Sequence, residues 1–186
     1  MDNIVPLYTT TDGRISRKTW WLAAIGIGVV NIVISMLIFP MIGLGMPNSE
    51  AIMAAADDTA AVSALITGSL QAAGWGSLIL FLLFAYPIYC ISIKRRHDKN
   101  SKGTDVIGYL AVTVLLLLVQ ALGLGYSVAD MGGVAVPVPS MLYSGLGLIS
   151  LAYGIYMLVV LGFLKGTEGP NQYGPDPLAT TVAAAA

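Results

Sequence analysis

KRRHDKNSKGTD, residues Lys94–Asp105, interrupts an otherwise greasy chain. Before it stands GWGSLILFLLFAYPIYCISI, residues Gly74–Ile93, and after it VIGYLAVTVLLLLVQALGLG, residues Val106–Gly125. Neither run contains a Lys, Arg, His, Asp or Glu. Each has about 20 residues, the number a helix needs to cross roughly 30 Å of hydrocarbon. Two further runs meet the same rule, Trp20–Phe39 and Leu142–Leu164. The polar dozen is therefore the connection between the second and third of four spans. The expected fold is an all-α membrane protein, a four-transmembrane-helix bundle. Composition agrees, since 56% hydrophobic and 10% charged residues and a mean hydropathy of +0.80 leave too little polar surface to solvate a globule of 186 residues. A removable signal peptide does not fit the first run, which is too long and too far from the small residues Ala54–Ala56. It is read as a retained span.

The placement of charge sets the orientation. The N-terminal flank, residues 1–19, carries Arg14, Arg17 and Lys18; the loop 94–105 carries Lys94, Arg95, Arg96, Lys99 and Lys102; the tail, residues 165–186, carries Lys165. The two other connections carry no cation but hold Glu50, Asp57, Asp58 and Asp130. All nine Lys and Arg residues thus fall on one face of a four-span model. The positive-inside rule makes that face the cytoplasm, with both termini there.

Within the loop, Lys94, Arg95 and Arg96 stand in the last turn of the second span, where cations complement the helix dipole and bind anionic headgroups. Thr104 or Asp105 is placed to cap the third helix. His97 is the only His. A structural metal site needs about four N or S ligands, and the chain offers this His and one Cys, Cys90. No Ser or Cys motif pairs with His97 as a nucleophile, and adjacent residues such as Asp98 point to different faces of a helix. The sequence assigns no catalytic, metal or cofactor-binding residue and implies no cofactor. The short basic clusters match no nucleic-acid-binding motif. The GLG triplets at Gly123–Gly125 and Gly145–Gly147 read as helical, which removes the geometry of a phosphate loop.

Inside the spans the polar residues Asn31 and Gln120 are expected to hydrogen-bond between helices, because an amide facing lipid is costly. The small pairs Ala24/Gly28 and Ser150/Gly154 have the spacing for close helix approach. Trp20, Trp21, Trp75, Tyr109, Tyr126 and Tyr143 fall near span ends, as interfacial aromatics do. Pro87 is placed to kink the second span. The connection 47–73 reads as a loop carrying a surface amphipathic helix through Ile52, Met53, Ala56 and Ala60. Residues 180–186 read as a frayed end or short helix.

Three polar pieces carry a resemblance. GRISRKTWW at Gly13–Trp21, KRRHD at Lys94–Asp98 and GTEGPNQYGPDPL at Gly166–Leu178 are similar to the motifs of the domain of unknown function 805 family, small bacterial inner-membrane proteins. Gly13, Arg14, Arg17, Trp20 and Trp21 match the first motif; Arg95, His97 and Asp98 the second; Gly166, Gly169, Asn171, Tyr173, Gly174, Asp176 and Pro177 the third. The chain departs from the family pattern at Lys102, Gly103 and Thr104, where Ser-Gly-Trp is usual, and in the long connection 47–73. The resemblance implies a multi-pass protein of the bacterial inner membrane and brings no reaction with it. On one face, Arg14, Arg17 and Arg95 can donate to Asp98, to Asp176 and to carbonyls of the tail. With His97, Asn171 and Tyr173 they form a candidate cytoplasmic polar cap.

The functional class expected is a non-enzymatic module that binds anionic lipid headgroups or a protein partner, or self-associates, through its basic face. A small oligomeric transporter or channel is the alternative, though no ionisable group lies at membrane depth. A lipid-modifying enzyme using His97 and Asp98 at the inner leaflet is the third reading.

Overall fold

The computed structural model describes residues 4–44, 49–133 and 135–179. It is mostly helical. Four helices are long and apolar enough to cross a membrane: α2 (Arg17–Met41), α4 (Thr59–His97), α5 (Thr104–Ala121) and α6 (Met141–Leu158), the last continuing as a π-helical turn, Val159–Phe163. Among the described residues there are also two short helices, α1 (Val5–Thr9) and α3 (Ser49–Ala54). Along α2, Ile25, Val29, Ile32, Met36 and Leu37 are each more than half exposed. A helix surface of that kind has lipid rather than water as its solvent.

Several helix ends are set by local contacts. Ser16 Oγ accepts the N–H of Thr19 at 3.2 Å and caps α2. Asp58 Oδ1 accepts the N–H groups of Ala60 and Ala61 at 2.9 and 3.1 Å and caps α4. Ser140 Oγ accepts the N–H of Tyr143 at 3.2 Å and caps α6. Three helices stop in the same way, with a left-handed residue just past the end: Gly43 (φ 74°), Asn100 (φ 57°) and Gly123 (φ 76°). At each, the following N–H reaches back to the carbonyl five residues earlier, as Ser101 does to Arg96 at 3.0 Å and Leu124 to Val119 at 3.0 Å.

Several expectations from sequence need correction. Gly123 is the helix stop, so the triplet Gly123–Gly125 lies outside α5, while Gly145–Gly147 lies within α6. The third helix starts at Thr104, and neither Thr104 nor Asp105 caps it; the Asp105 carboxylate is taken by Arg96 instead. The connection 47–73 is not a loop with one amphipathic helix. Ile52 and Met53 lie on α3, Ala60 lies in the first turn of α4, and Asp58 breaks the two apart by capping the second. The helix that carries the second span therefore starts at Thr59 rather than Gly74 and runs for 39 residues, about 58 Å at 1.5 Å per residue. Residues 47–48 and 180–186 lie outside the described residues.

The chain divides into two compact units. The first comprises Met1–Val30, Leu82–Ala111 and Ala152–Ala186. Its core is built from Ile15, Trp20 and Ala23, Ile91 and Ile93, Val106, and Met157, Val160 and Leu161. Trp20 is thus a core residue, 8% exposed, and not an interfacial anchor.

The second unit comprises Asn31–Phe81 and Val112–Leu151. It holds an antiparallel hairpin of β1 (Tyr126–Asp130) and β2 (Ala135–Pro139) with Val128 opposite Pro137, a departure from the all-helical expectation. Gly132 and Gly133 both have positive φ, and Asp130 Oδ1 accepts the Gly133 N–H at 2.7 Å. Among the glycines of this unit the closest approach is at Gly74, where an added Cβ would lie 2.7 Å from the backbone nitrogen of Ala121. Of the small residues expected at helix contacts, Ala24 packs against the core, Gly28 has open space around it, and Gly154 meets Tyr109 of α5 at an ordinary 3.8 Å. Gln120 does bridge segments, donating to the Leu70 carbonyl (3.3 Å) and accepting from the Tyr143 hydroxyl (3.1 Å). At Asn31 the hydrogen bond is local, from Ser35 Oγ to the Asn31 backbone carbonyl at 2.9 Å.

Candidate functional site

The polar pieces of the sequence converge in the first unit, and the end of α6 explains why. A helix leaves its last carbonyls without intrahelical donors, and next to lipid water cannot be relied on to supply them. Here side chains from elsewhere in the chain supply them. Arg95 Nε donates to Leu161 O at 2.8 Å, Trp21 Nε1 to Gly162 O at 3.1 Å and Arg17 Nη1 to Phe163 O at 3.1 Å, while Arg95 Nη2 donates to Leu164 O. Gly162 is small because Trp21 is there: a Cβ would lie 2.8 Å from the indole ring.

Asp98 is the hub. Its side chain is 5% exposed and faces two guanidinium groups. Arg14 donates through Nε (3.1 Å) and Nη2 (3.0 Å) to Oδ1, and Arg95 Nη1 pairs with Oδ2. The Asp98 backbone carbonyl accepts both the N–H (2.8 Å) and the hydroxyl (3.0 Å) of Thr167. Arg14 then ties the tail down, with Nη1 on Gly169 O at 2.7 Å and Nη2 on Thr167 O at 2.7 Å. Gly166 lets the tail cross this carboxylate, since a Cβ would fall 2.6 Å from Asp98 Cγ.

His97 and Asp98 do not act on each other. The His97 ring stacks on Tyr173 with centroids 3.8 Å apart and planes 5° from parallel. Its Nδ1 is 3.2 Å from Gly13 O; a carbonyl can only accept, so Nδ1 carries the proton and donates. Asn171 Nδ2 donates to His97 O at 2.9 Å, and Asn171 Oδ1 accepts the Tyr173 N–H at 2.9 Å. The tail is thereby folded into a tight turn in which Asn171 and Gly174 exchange backbone hydrogen bonds at 3.0 Å.

Two candidate residues have partners other than those expected. Arg17 reaches the Phe163 carbonyl rather than a carboxylate. Asp176 accepts backbone donors, from Leu178 (2.9 Å) and Gly169 (3.1 Å), rather than an Arg side chain. These donors, Leu178 foremost, hold its carboxyl below the usual carboxylate range. Lys94 and Arg95 are turned inward, 5% and 0% exposed, and so are not headgroup anchors. Burial, reinforced by Arg96 and Arg95, lowers the Lys99 ammonium below its ordinary value.

A second cluster had no motif to announce it. Arg96 Nε pairs with Asp105 Oδ1 at 3.1 Å, Tyr156 donates to Asp105 Oδ2 at 2.9 Å, and Tyr153 donates to Asp105 O at 2.7 Å. The sequence signal was two tyrosines three residues apart near the end of the fourth span, facing an acid in the first turn of the third helix. Beside the hub is a cavity of about 50 Å³ bordered by Ser16, Arg17, Arg95, Thr167 and Asp176, room for a few water molecules. Among the described residues no three His, Cys, Asp or Glu side chains are grouped as a metal site requires.

Around Asp98 the arrangement satisfies itself: Arg14, Arg17 and Arg95 donate to carbonyls and the hub carboxylate faces guanidinium groups, which is how a closure is built. No curated protein and no solved structure matches the chain. A family model described as "Protein of unknown function (DUF805)" matches residues 8–175, a stretch that holds nearly all of these contacts, and the chain belongs to that family.

Proposed function

We propose that the protein is a non-enzymatic module of the bacterial plasma membrane whose polar end lies in the cytoplasm and holds anionic phospholipid headgroups. The observation that carries this reading is the partition of charge. The first unit contains all nine cations with six carboxylates, and the second contains four carboxylates and no cation. Two of the six carboxylates, Asp98 and Asp105, are turned onto Arg14, Arg95 and Arg96. These pairs leave Arg17, Lys18 and Lys102 as exposed cations of that unit, and each such cation contributes about 1 kcal/mol toward an anionic leaflet. The positive-inside rule assigns that end to the cytoplasm. The commitment of His97 to Gly13 and Tyr173 argues against a catalytic base at this position.

The test is native mass spectrometry of the protein extracted with its lipid, beside a Lys18→Glu, Lys102→Glu variant. A several-fold loss of bound phosphatidylglycerol in the variant is expected. Unchanged lipid overturns the headgroup reading, and loss of a bound protein instead points to a partner at the same face. Labelling of single cysteines at Asp57 and Lys102 in intact cells checks the orientation, with only the first expected to react with an impermeant reagent.

A further inference from the structure

We infer that the segment Ile4–Thr9 is a re-entrant wedge that lies in the apolar layer of the membrane, with lipid acyl chains as its partner. The inference needs only the multi-pass fold and does not depend on the headgroup reading.

The first observation is where the segment lies. Lys94 Nζ donates to Pro6 O, the Tyr86 hydroxyl donates to Thr9 O at 2.9 Å, and His97 Nδ1 donates to Gly13 O at 3.2 Å. Along α4, Lys94 precedes the last residue, His97, by three positions and Tyr86 precedes it by eleven, about 5 and 16 Å at 1.5 Å per residue. The chain therefore descends from Pro6 to Thr9 beside the apolar part of α4 and climbs back to the polar end at Gly13. The Tyr8 hydroxyl sits beside Gly26, well inside α2, 3.8 Å from where a Cβ would be.

The second observation is how the backbone is satisfied. In water, the carbonyls of a five-residue surface helix need no protein donors beyond their own turn. Here Ile4 O accepts from the Leu7 N–H (3.0 Å) and Val5 O from Thr9 Oγ1 (2.8 Å). Pro6 O accepts from Thr10 Oγ1 (3.0 Å) and from Lys94, Leu7 O from Lys94 at 3.5 Å, and Thr9 O from Tyr86. Lys94 is 5% exposed, so its ammonium is spent on this segment rather than on solvent. Pro6 has no N–H to satisfy. Irregular backbone can enter hydrocarbon only when its polar groups are answered by protein in this way.

The third observation is the outward face. Ile4 and Val5 are 69% and 56% exposed, while Leu7 and Tyr8 pack on the core. An apolar outer face over the carbonyls of Ile4, Val5, Pro6, Leu7 and Thr9, each answered by a protein donor, matches an acyl-chain environment.

The experiment places a spin label at Val5→Cys in the full chain, reconstituted in phosphatidylglycerol and phosphatidylethanolamine vesicles, with labels at Leu37 and Lys102 as lipid and water references. Collision with oxygen, which concentrates in the bilayer, is compared with collision with a water-soluble nickel chelate. The oxygen-to-nickel ratio at Val5 is expected to match that at Leu37 and to exceed that at Lys102 several-fold. A ratio like that at Lys102 overturns the wedge. Poor access for both probes also overturns it, because a protein surface would then cover the face. Lys94→Met keeps the reach of the side chain and removes its donors; it is expected to bring the Val5 ratio down toward the aqueous reference. An unchanged ratio overturns the role given to Lys94.

Discussion

The two units meet the same physical problem with different means. Every helix end exposes backbone groups without partners. In the second unit the answers are local: Gly43 and Gly123 close helices through backbone bonds to the preceding turn, and Asp58 and Ser140 cap the helices that follow them. In the first unit the end of α6 is answered from far away, by Arg95 at a separation of 66 residues, Trp21 at 141 and Arg17 at 146. Local closure tolerates change one helix at a time. Remote closure couples three segments through a few side chains, so damage to one is felt by all.

The most direct way to break this comparison is to remove the hub. Asp98→Ala leaves Arg14 and Arg95 buried without their anion, and loss of one partner of a buried ion pair costs about 3–5 kcal/mol. Asp58→Ala in the second unit removes only a helix cap, worth about 1 kcal/mol. Thermal unfolding in one detergent should place the first variant well below the second. Equal losses would mean that remote and local closure are energetically alike. Hydrogen exchange should also show tail amides at Thr167 and Tyr173 losing protection in Asp98→Ala and keeping it in Asp58→Ala.

Glycine positions sharpen the contrast at a smaller scale. Gly74 faces the Ala121 backbone, whereas Gly162 faces the Trp21 ring, which is itself held by its bond to the Gly162 carbonyl. Gly74→Ala and Gly162→Ala are therefore each expected to cost about 1–3 kcal/mol through overpacking, the second also by disturbing the remote bond from Trp21. Gly28→Ala, which meets open space, should raise stability by up to about 1 kcal/mol through helix propensity. A destabilised Gly28→Ala would indicate a helix contact there that the fold does not contain.

These cases also mark what was legible in the sequence. The four apolar runs were plain because hydrocarbon imposes a length and forbids charge, and both constraints act residue by residue. The grouping of Arg14, Arg95, Asp98, Asn171 and Tyr173 followed from charge placement together with family resemblance. Which atom meets which did not follow. Arg17 and Arg95 donate to carbonyls at the end of α6, and a carbonyl has no letter in the sequence. The extension of α4 back to Thr59 was hidden because Gly68, Ser69 and Gln71 dilute the hydropathy without breaking the helix. The hairpin was hidden because Pro137 and Pro139 argue against a strand; two-stranded pairing leaves both strands as edges, where proline is tolerated.

The mildest probe of remote closure is acid. Asp176 shapes the tail by accepting the N–H groups of Leu178 and Gly169, and the same bonds favour its charged form and depress its pKa in the fold. A group depressed in this way contributes stability above its unfolded pKa, near 4 for an aspartate, and that contribution is lost as pH falls through its lower, folded value. The contribution of Asp176 to tail order should therefore be constant from pH 7 to 5 and decline only below the ordinary carboxylate range. Amide exchange at Leu178 and Gly169, corrected for its intrinsic pH dependence, reads this directly. Asp176→Asn keeps an acceptor oxygen but has no charge to lose, so it should abolish the acid step at these two amides while leaving Thr167 untouched. If Thr167 loosens together with them, the turn at Asp176 and the clasp at Asp98 form one cooperative closure, and the tail is a continuous part of the remote network.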